Sequence, residues 1–365
     1  MAIKKELIIL LLAVVVLFIR VYLFNSLPKP YKNGDRIRIT GKVSSETINY
    51  EKSQRIVVGR VKIYLPFLPE INYGDEIVVE GIIKDGILED PVIVNFQESK
   101  GMIYTLRNKL IDVYLKSLPV REASLVAGIV IGSKKNLPPS FWEQLKRSGT
   151  AHVVVASGMN VTLVAGFLMS FALTFINRRK AVLLVLLGIW LYALIAGFEA
   201  PIIRAAIMGS IAFLSQELGK VYLAARATVL SAIFMIFINP AWIADVGFIL
   251  SFCATFSLVI FGEKIRSMTS KLVKFRYVPT ILINDLSTTL SAQIGVVPVL
   301  YYYFGNFNLL SPVINVLVLW TIPIITVIGI IAGFLGLLYF DLGRLVILMG
   351  YPVIRWFTYV VDVFS

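Results

Sequence analysis

Residues 149–166 read GTAHVVVASGMNVTLVAG, and this stretch decides the class of the protein. It is apolar enough to enter a bilayer, yet it carries His152, Ser157, Asn160 and Thr162, with glycines at Gly149, Gly158 and Gly166. A polar side chain in hydrocarbon costs free energy, so it faces a bundle interior or a water-filled cavity. A plain anchor needs none of these groups. The stretch therefore belongs to a working membrane core.

The rest of the chain agrees. Hydrophobic residues make up 58 % and charged residues 16 %, well beyond the apolar share of a soluble domain. Apolar runs are expected to span near residues 7–24, 152–176, 181–198, 201–217, 223–238, 242–261, 281–304, 309–339 and 345–363. The expected class is a polytopic α-helical membrane protein of about nine transmembrane helices. The run 309–339 is overlong and holds Pro312 and Pro323, which predicts a break or a tilt. The run 7–24 follows Lys4 and Lys5 and lacks a small-x-small cleavage site, which predicts a retained helix.

Between the first two runs the hydrophobic period changes to two. Arg36, Arg38, Thr40 and Lys42 alternate with apolar neighbours, as do Arg60 and Lys62. Asn33-Gly34, Gly74-Asp75 and Asp85-Gly86 punctuate the pattern, which predicts half-buried strands. Two GD-x-I-x-[IV]-x-G units and the length suit a small β-barrel of OB type. The domains expected are a helix within 1–28, an OB-like domain over 29–100, an amphipathic interfacial region over 101–149 and a membrane domain over 150–365. Arg36, Arg38, Lys42, Arg60 and Lys62 are candidate DNA contacts; equally, they are the solvated face of a sheet.

Short loops set the orientation. Arg178, Arg179 and Lys180, then Lys220 and Arg226, then residues 264–276 are basic, whereas connectors 198–200, 239–245 and 306–308 hold no lysine or arginine. Basic loops stay cytoplasmic, so the N-terminus is inside and the OB-like domain is extracytoplasmic. On that topology His152, Ser157, Asn160, Glu199, Arg204, Asp245, Asn306 and Asn315 fall toward the outer face, with Gln293 near mid-membrane. They line an outward vestibule or serve as caps and interhelical hydrogen bonds. Arg204 needs a partner in an apolar helix, and Glu199 or Asp245 is placed to supply it. Gly158, Gly166, Gly209 and Gly247 sit in small-xxx-small rows and are expected to pack helices.

Catalysis finds little support. The single histidine lies five residues before Ser157; on one helix they would sit roughly 140° apart, too far for a nucleophile–base pair. One histidine and one cysteine, Cys253, give no intrachain disulfide and no histidine-rich metal site. No cofactor is expected. The net charge of +13 suits anionic lipid and nucleic acid alike.

The opening stretch, with Ser148 before it, resembles the GTxH…SGLHV segment of the ComEC-type competence family. GFEAPIIRAAIMG (197–209), NPAWIADVGFILSFCATFSLV (239–259) and LSAQIGVVPVLYYYFGNFNLLSPVINVLV (290–318) resemble three further blocks in the same order. The resemblance implies a channel component that imports single-stranded DNA across the inner membrane during natural transformation. It also implies an OB-like domain at this place in the chain. Expected partners are the bilayer, a DNA receptor, a cytoplasmic ATPase or helicase and a separate nuclease. No GxxxxGK[ST] phosphate loop is present to drive transport. Two departures stand out. Asn160 replaces the family's second motif histidine, and the usual C-terminal metallo-β-lactamase-like domain is absent from these residues. They keep open a transporter or scaffold for another cargo, or the channel half of a split system.

Overall fold

The computed structural model describes residues 15–24, 26, 31–44, 46–50, 53–59, 61–99, 101–152, 154, 158–219, 223–272, 280–304, 308 and 310–365. The first helix is α1 (Val15–Phe24). Six strands follow: β1 (Arg36–Lys42), β2 (Ile48–Asn49), β3 (Ser53–Val58), β4 (Val61–Pro66), β5 (Glu76–Lys84) and β6 (Ile87–Gln97). Then come α2 (Met102–Ser117), α3 (Val120–Ile131), α4 (Pro139–Arg147), α5 (Gly158–Phe175), α6 (Arg178–Ile195), α7 (Ala200–Glu217) and α8 (Ala224–Ile238). A 3-10 turn (Pro240–Ala244) precedes α9 (Val246–Leu272), α10 (Thr280–Phe304), α11 (Ser311–Leu319), α12 (Thr321–Leu338), α13 (Phe340–Met349) and α14 (Tyr351–Phe364). The chain divides into two compact units. A sheet-bearing unit holds residues 29–160, 194–197 and 317–365, and a helical unit holds 1–28, 161–193 and 198–316.

In the sheet-bearing unit, the alternation read from the sequence becomes alternating burial along β1, β3, β4 and β5. The inward residues, among them Ile56, Ile63, Leu65, Ile77, Val79 and Leu88, form one core. The strand order is β1-β5-β6-β4-β3-β2, with β4 and β6 parallel and the other neighbours antiparallel. The sheet is not closed, so the expected small OB-like barrel appears as an open ladder. The segment after β1 approaches β3 through the bridge Val43↔Val58 and the bond from Ser44 N to Val57 O at 2.8 Å. Gly41 permits this approach, because a Cβ there would stand 2.9 Å from Val58 Cγ1.

The helices of this unit pack through small residues. A Cβ at Gly329 of α12 would lie 2.5 Å from Val130 Cγ2 of α3, and one at Gly333 would lie 2.9 Å from Leu110 Cδ2 of α2. Tyr114 donates from its hydroxyl to Gly329 O at 2.8 Å, tying α2 to α12. Residues Glu122 to Ile131 of α3 are all buried, so this helix is the spine of the unit.

In the helical unit α7, α8 and the start of α9 share a core of Ile203, Ile207, Met235 and Phe248. Helices α9 and α10 meet at Gly295, where a Cβ would lie 2.5 Å from Cys253 O and 2.9 Å from Ser257 Cβ. Arg178 and Arg179, beside the α5–α6 turn, reach Glu217 at the end of α7 at 3.9 and 3.3 Å. Pro201, at the start of α7, lies about 4.0 Å from the Cβ position of Gly247, at the start of α9. The basic and non-basic connectors here therefore gather at opposite ends of α7.

Three helices among the described residues are long and apolar enough to cross a membrane: α5, α12 and residues Val246–Ser270 of α9. The pair α13 and α14, bent by 53° at Gly350, makes a fourth if counted as one span. The nine expected spans do not each appear as one long apolar helix. The overlong run 309–339 is divided at Trp320, and 345–363 is divided at Gly350. Helix α6 opens with three basic residues, and α8 has 15 residues. Residues 264–272, expected as a loop, continue α9 instead. Thr269 holds this end by hydrogen-bonding Ser287 of α10 at 2.6 Å.

Candidate functional site

The sheet-bearing unit contains the opening stretch as far as Asn160. His152 lies in a turn before α5 rather than within it, with Nδ1 3.0 Å from Gly149 O. Ser157 lies outside the described residues. Asn160, in the first turn of α5, is completely buried. Its Nδ2 donates to Ile129 O at 2.5 Å, and its Oδ1 accepts from Thr326 Oγ1 at 3.4 Å. Ile129 is two residues from the end of α3, where carbonyls lack intrahelical partners. Asn160 thus supplies the donor that the helix end requires and joins α3, α5 and α12.

Three charged clusters in this unit were not anticipated. Arg107 of α2 is buried against Glu46, at 2.5 Å; Glu46 also accepts from Ser133 Oγ at 2.6 Å. The same guanidinium donates to Ile195 O and lies 5.8 Å from the Tyr73 ring. Burial raises the Tyr73 pKa above its ordinary value, with Tyr104 adding to the rise and Arg107 opposing it, so the phenol stays neutral. Lys135 pairs with Glu70 at 2.5 Å. On α14, Asp362 receives Arg121 at 2.6 Å and Arg355 reaches the buried Glu122 at 3.1 Å. The signal for Arg107 was present: with Ile103, Leu110 and Tyr114 it lies on one apolar helical stripe, where a charge demands a partner.

The helical unit holds the other candidates. Arg204 donates to Thr255 Oγ1, which in turn donates to Ser251 O at 2.9 Å, and the guanidinium lies 5.9 Å from the Phe252 ring. Asp245 accepts from Phe248 N at 2.8 Å and so caps α9. Glu199 stands at the N-cap of α7. Gln293 donates to Ser311 Oγ at 2.9 Å. One turn beyond Ser311, Asn315 is buried, and its Oδ1 has no hydrogen-bond partner among the described residues. Asn306 lies outside the described residues. A groove of about 530 Å³ in this unit, lined by Leu17, Phe252, Cys253, Phe256 and Gly295 among others, is apolar and suits hydrocarbon.

On the sheet, Arg36, Arg38 and Lys42 share the outer face of β1, but Glu80 and Glu76 opposite them lie 3.7 and 3.3 Å from Arg38 and Lys42. Lys62 is exposed on β4, and Arg60 lies outside the described residues. Close helix approaches fall at Gly188, Gly295, Gly329, Gly333, Gly336 and Gly343 among others. A Cβ at Gly166 would meet nothing within 4 Å, and one at Gly209 would meet only Ile189 at 3.7 Å. A Cβ at Gly247 would lie 3.1 Å from Asp245 Oδ1.

The family model described as Competence protein matches residues 129–365, which takes in α4 to α14 and the end of α3. ComE operon protein 3 of Bacillus subtilis (strain 168) is 28 % identical over 249 residues. The alignment covers 67 % of this chain and 31 % of that protein, so the chain spans about a third of its relative. No solved structure matches the chain. The matched region contains Asn160, Arg204, Asp245, Gln293 and Asn315. The chain belongs to the competence protein family, of the ComEC type.

Proposed function

We propose that the chain is a channel component for single-stranded DNA at the inner membrane in natural transformation. It has its N-terminus inside, an OB-like domain outside and about nine passes, several made of broken or short helices. The family match over the helical region carries this reading. The sheet supports the outer domain. With β2 set aside, antiparallel pairing links β1 to β5, β5 to β6 and β3 to β4. The sheet is not closed, but the parallel β4–β6 pair and the Val43↔Val58 bridge support reading it as an open relative of a Greek-key barrel. The gathering of basic connectors at one end of α7 supports the orientation. DNA would be received outside and passed inward, with a DNA receptor, a partner ATPase or helicase and a separate nuclease supplying delivery, motive force and strand cleavage.

A second reading, carriage of another cargo on the same scaffold, draws on Asn160. That residue is committed to Ile129 O and Thr326, a structural duty that asks nothing of DNA. The deciding experiment is uptake of labelled DNA by the native host with and without the gene. Import predicts that deletion leaves DNA bound outside and abolishes its entry into the cytoplasm. Undiminished entry, in a host shown to be transformable, sinks the import reading and brings the other cargo forward.

A further inference from the structure

We infer that the groove along α8 and α9 is a binding site for one anionic phospholipid, with an acyl chain in the groove and the phosphate on Arg20. The site goes beyond DNA import and holds whatever the cargo is. The groove lies within the helical unit. It is lined by Leu17 of α1, Thr228 and Ile236 of α8, Phe252 and Phe261 of α9 and Gly295 of α10, among others. On α9 the lining runs from Phe252 to Phe261, about 13 Å along the axis. The trough therefore follows the helices, as an acyl chain beside them does. Among the described lining residues none is charged, and the hydroxyls are already engaged. Thr228 donates to Ala224 O at 2.8 Å and Ser257 to Ser291 O at 2.6 Å. Such a trough favours hydrocarbon over water.

Arg20 stands at one end of this trough. It is three residues beyond Leu17 on α1, so the two share a helix face. Its Nε donates to Phe237 O at 3.5 Å, and Phe237 directly follows Ile236 of the lining. The side chain is exposed, and among the described residues no carboxylate is ion-paired to it. With Nε on the carbonyl, the terminal NH2 groups are left for a ligand. A guanidinium fork matches phosphate oxygens, and an arginine in an apolar run needs such a partner. Trp242, in the 3-10 turn after α8, packs at the same end, and tryptophan gathers at headgroup depth. The charge is thus level with lipid phosphates, and the trough leads from it toward the bilayer centre.

Topology sharpens the point. The connector 239–245 at this end holds no lysine or arginine, whereas Arg178 and Arg179 gather at the other end of the unit with Glu217. Arg20 therefore departs from the charge rule that sorts the loops, and orientation does not account for it. Complementarity selects the occupant. A guanidinium at the head of a hydrocarbon trough asks for an anion joined to an apolar chain, and a phospholipid carries both on one molecule. A zwitterionic headgroup also brings an ammonium, for which the lining offers no carboxylate. A second copy of the chain could fill the trough with side chains, but it would have to bring its own anion to Arg20. An occupant here would also pin α1 against α8, α9 and α10, the helices that share the lining.

The test uses the full chain in dodecyl maltoside micelles. Native mass spectrometry counts bound lipid as phosphatidylglycerol or phosphatidylcholine with the same acyl chains is added. Wild type should bind its first phosphatidylglycerol about fivefold more tightly than phosphatidylcholine, the effect expected of one cation at headgroup depth. Arg20→Gln should erase that preference, and Arg179→Gln, at the basic end, should keep it. Ala232→Trp fills the trough and should weaken both lipids about tenfold, the loss of about two buried methylenes. Cys253, the single cysteine, lines the trough and reads occupancy in the wild-type chain. Phosphatidylglycerol should slow its alkylation by N-ethylmaleimide, and far less so in Arg20→Gln. The Arg20 and Cys253 readouts stand even if Ala232→Trp fails to fold. Equal affinity of wild type for the two lipids, a preference that survives Arg20→Gln, or an unchanged alkylation rate overturns the proposal. So does a dimer that Ala232→Trp dissociates while lipid binding stays the same, which gives the trough to a second copy.

Discussion

Asn160 shows how one buried side chain can join three helices. It is fully buried, and Ile129 O at the end of α3 receives its amide at 2.5 Å. Asn160→Leu keeps the approximate volume and strips that carbonyl of its donor, at a cost of about 1–3 kcal/mol. Thr326→Val removes the longer contact of 3.4 Å and should cost distinctly less. Thermal unfolding of both variants in one detergent checks the order, and equal midpoints would contradict the role given to Asn160. Arg107 poses the opposite problem, a buried charge held by another. Arg107→Ala leaves Glu46 without its cation in a poorly solvated site, for about 3–5 kcal/mol. Adding Glu46→Gln should recover part of that loss, because the stranded charge is gone while Ser133 keeps an acceptor. A double-mutant cycle measures the recovery; strictly additive losses would show that the two side chains do not act as a pair.

At the scale of elements, helix contacts turn on where glycine meets backbone. Gly295→Ala would press a Cβ to 2.5 Å from Cys253 O, an atom that cannot rotate away, so α9 and α10 must separate. Overpacking of this kind costs about 1–3 kcal/mol. Gly166→Ala enters open space and should be near neutral. The two midpoints, measured side by side, test whether small-residue rows or actual backbone approach governs packing. The same comparison explains what was legible in the sequence. Period-two alternation in residues 36–43 and 76–84 and the proline pair in 309–339 are local signals, and they located the strands and the broken helix. Spacing alone could not tell Gly166 from Gly329, because both lie in small-residue rows and only the facing helix distinguishes them. Likewise Arg107 was visible as a charge on an apolar stripe. Its partner, Glu46, lies 61 residues away in a loop that no periodicity marks.

For the whole molecule, the unresolved quantity with the greatest leverage is sidedness. Arg178 and Arg179 converge on Glu217, so the α5–α6 turn and the end of α7 share one side, and both flank basic connectors. Lysine and arginine near short loops are retained in the cytoplasm, and on the proposed topology Lys4 and Lys5 would lie there too. On that proposal one pass by the first helix would carry the sheet outside. Because Cys253 is the single cysteine, Cys253→Ala gives a background in which one introduced thiol reports its own side. Lys84→Cys replaces an exposed residue of β5, and Arg179→Cys replaces one whose side chain is 88 % exposed. Both disturb only surface ion pairs, which are worth little. A membrane-impermeant maleimide should label Lys84→Cys in intact cells and Arg179→Cys only after permeabilisation. The reverse pattern would place the sheet in the cytoplasm. The sheet would then meet imported DNA only after it had crossed the membrane, which would overturn the outward placement on which the proposed order of delivery depends.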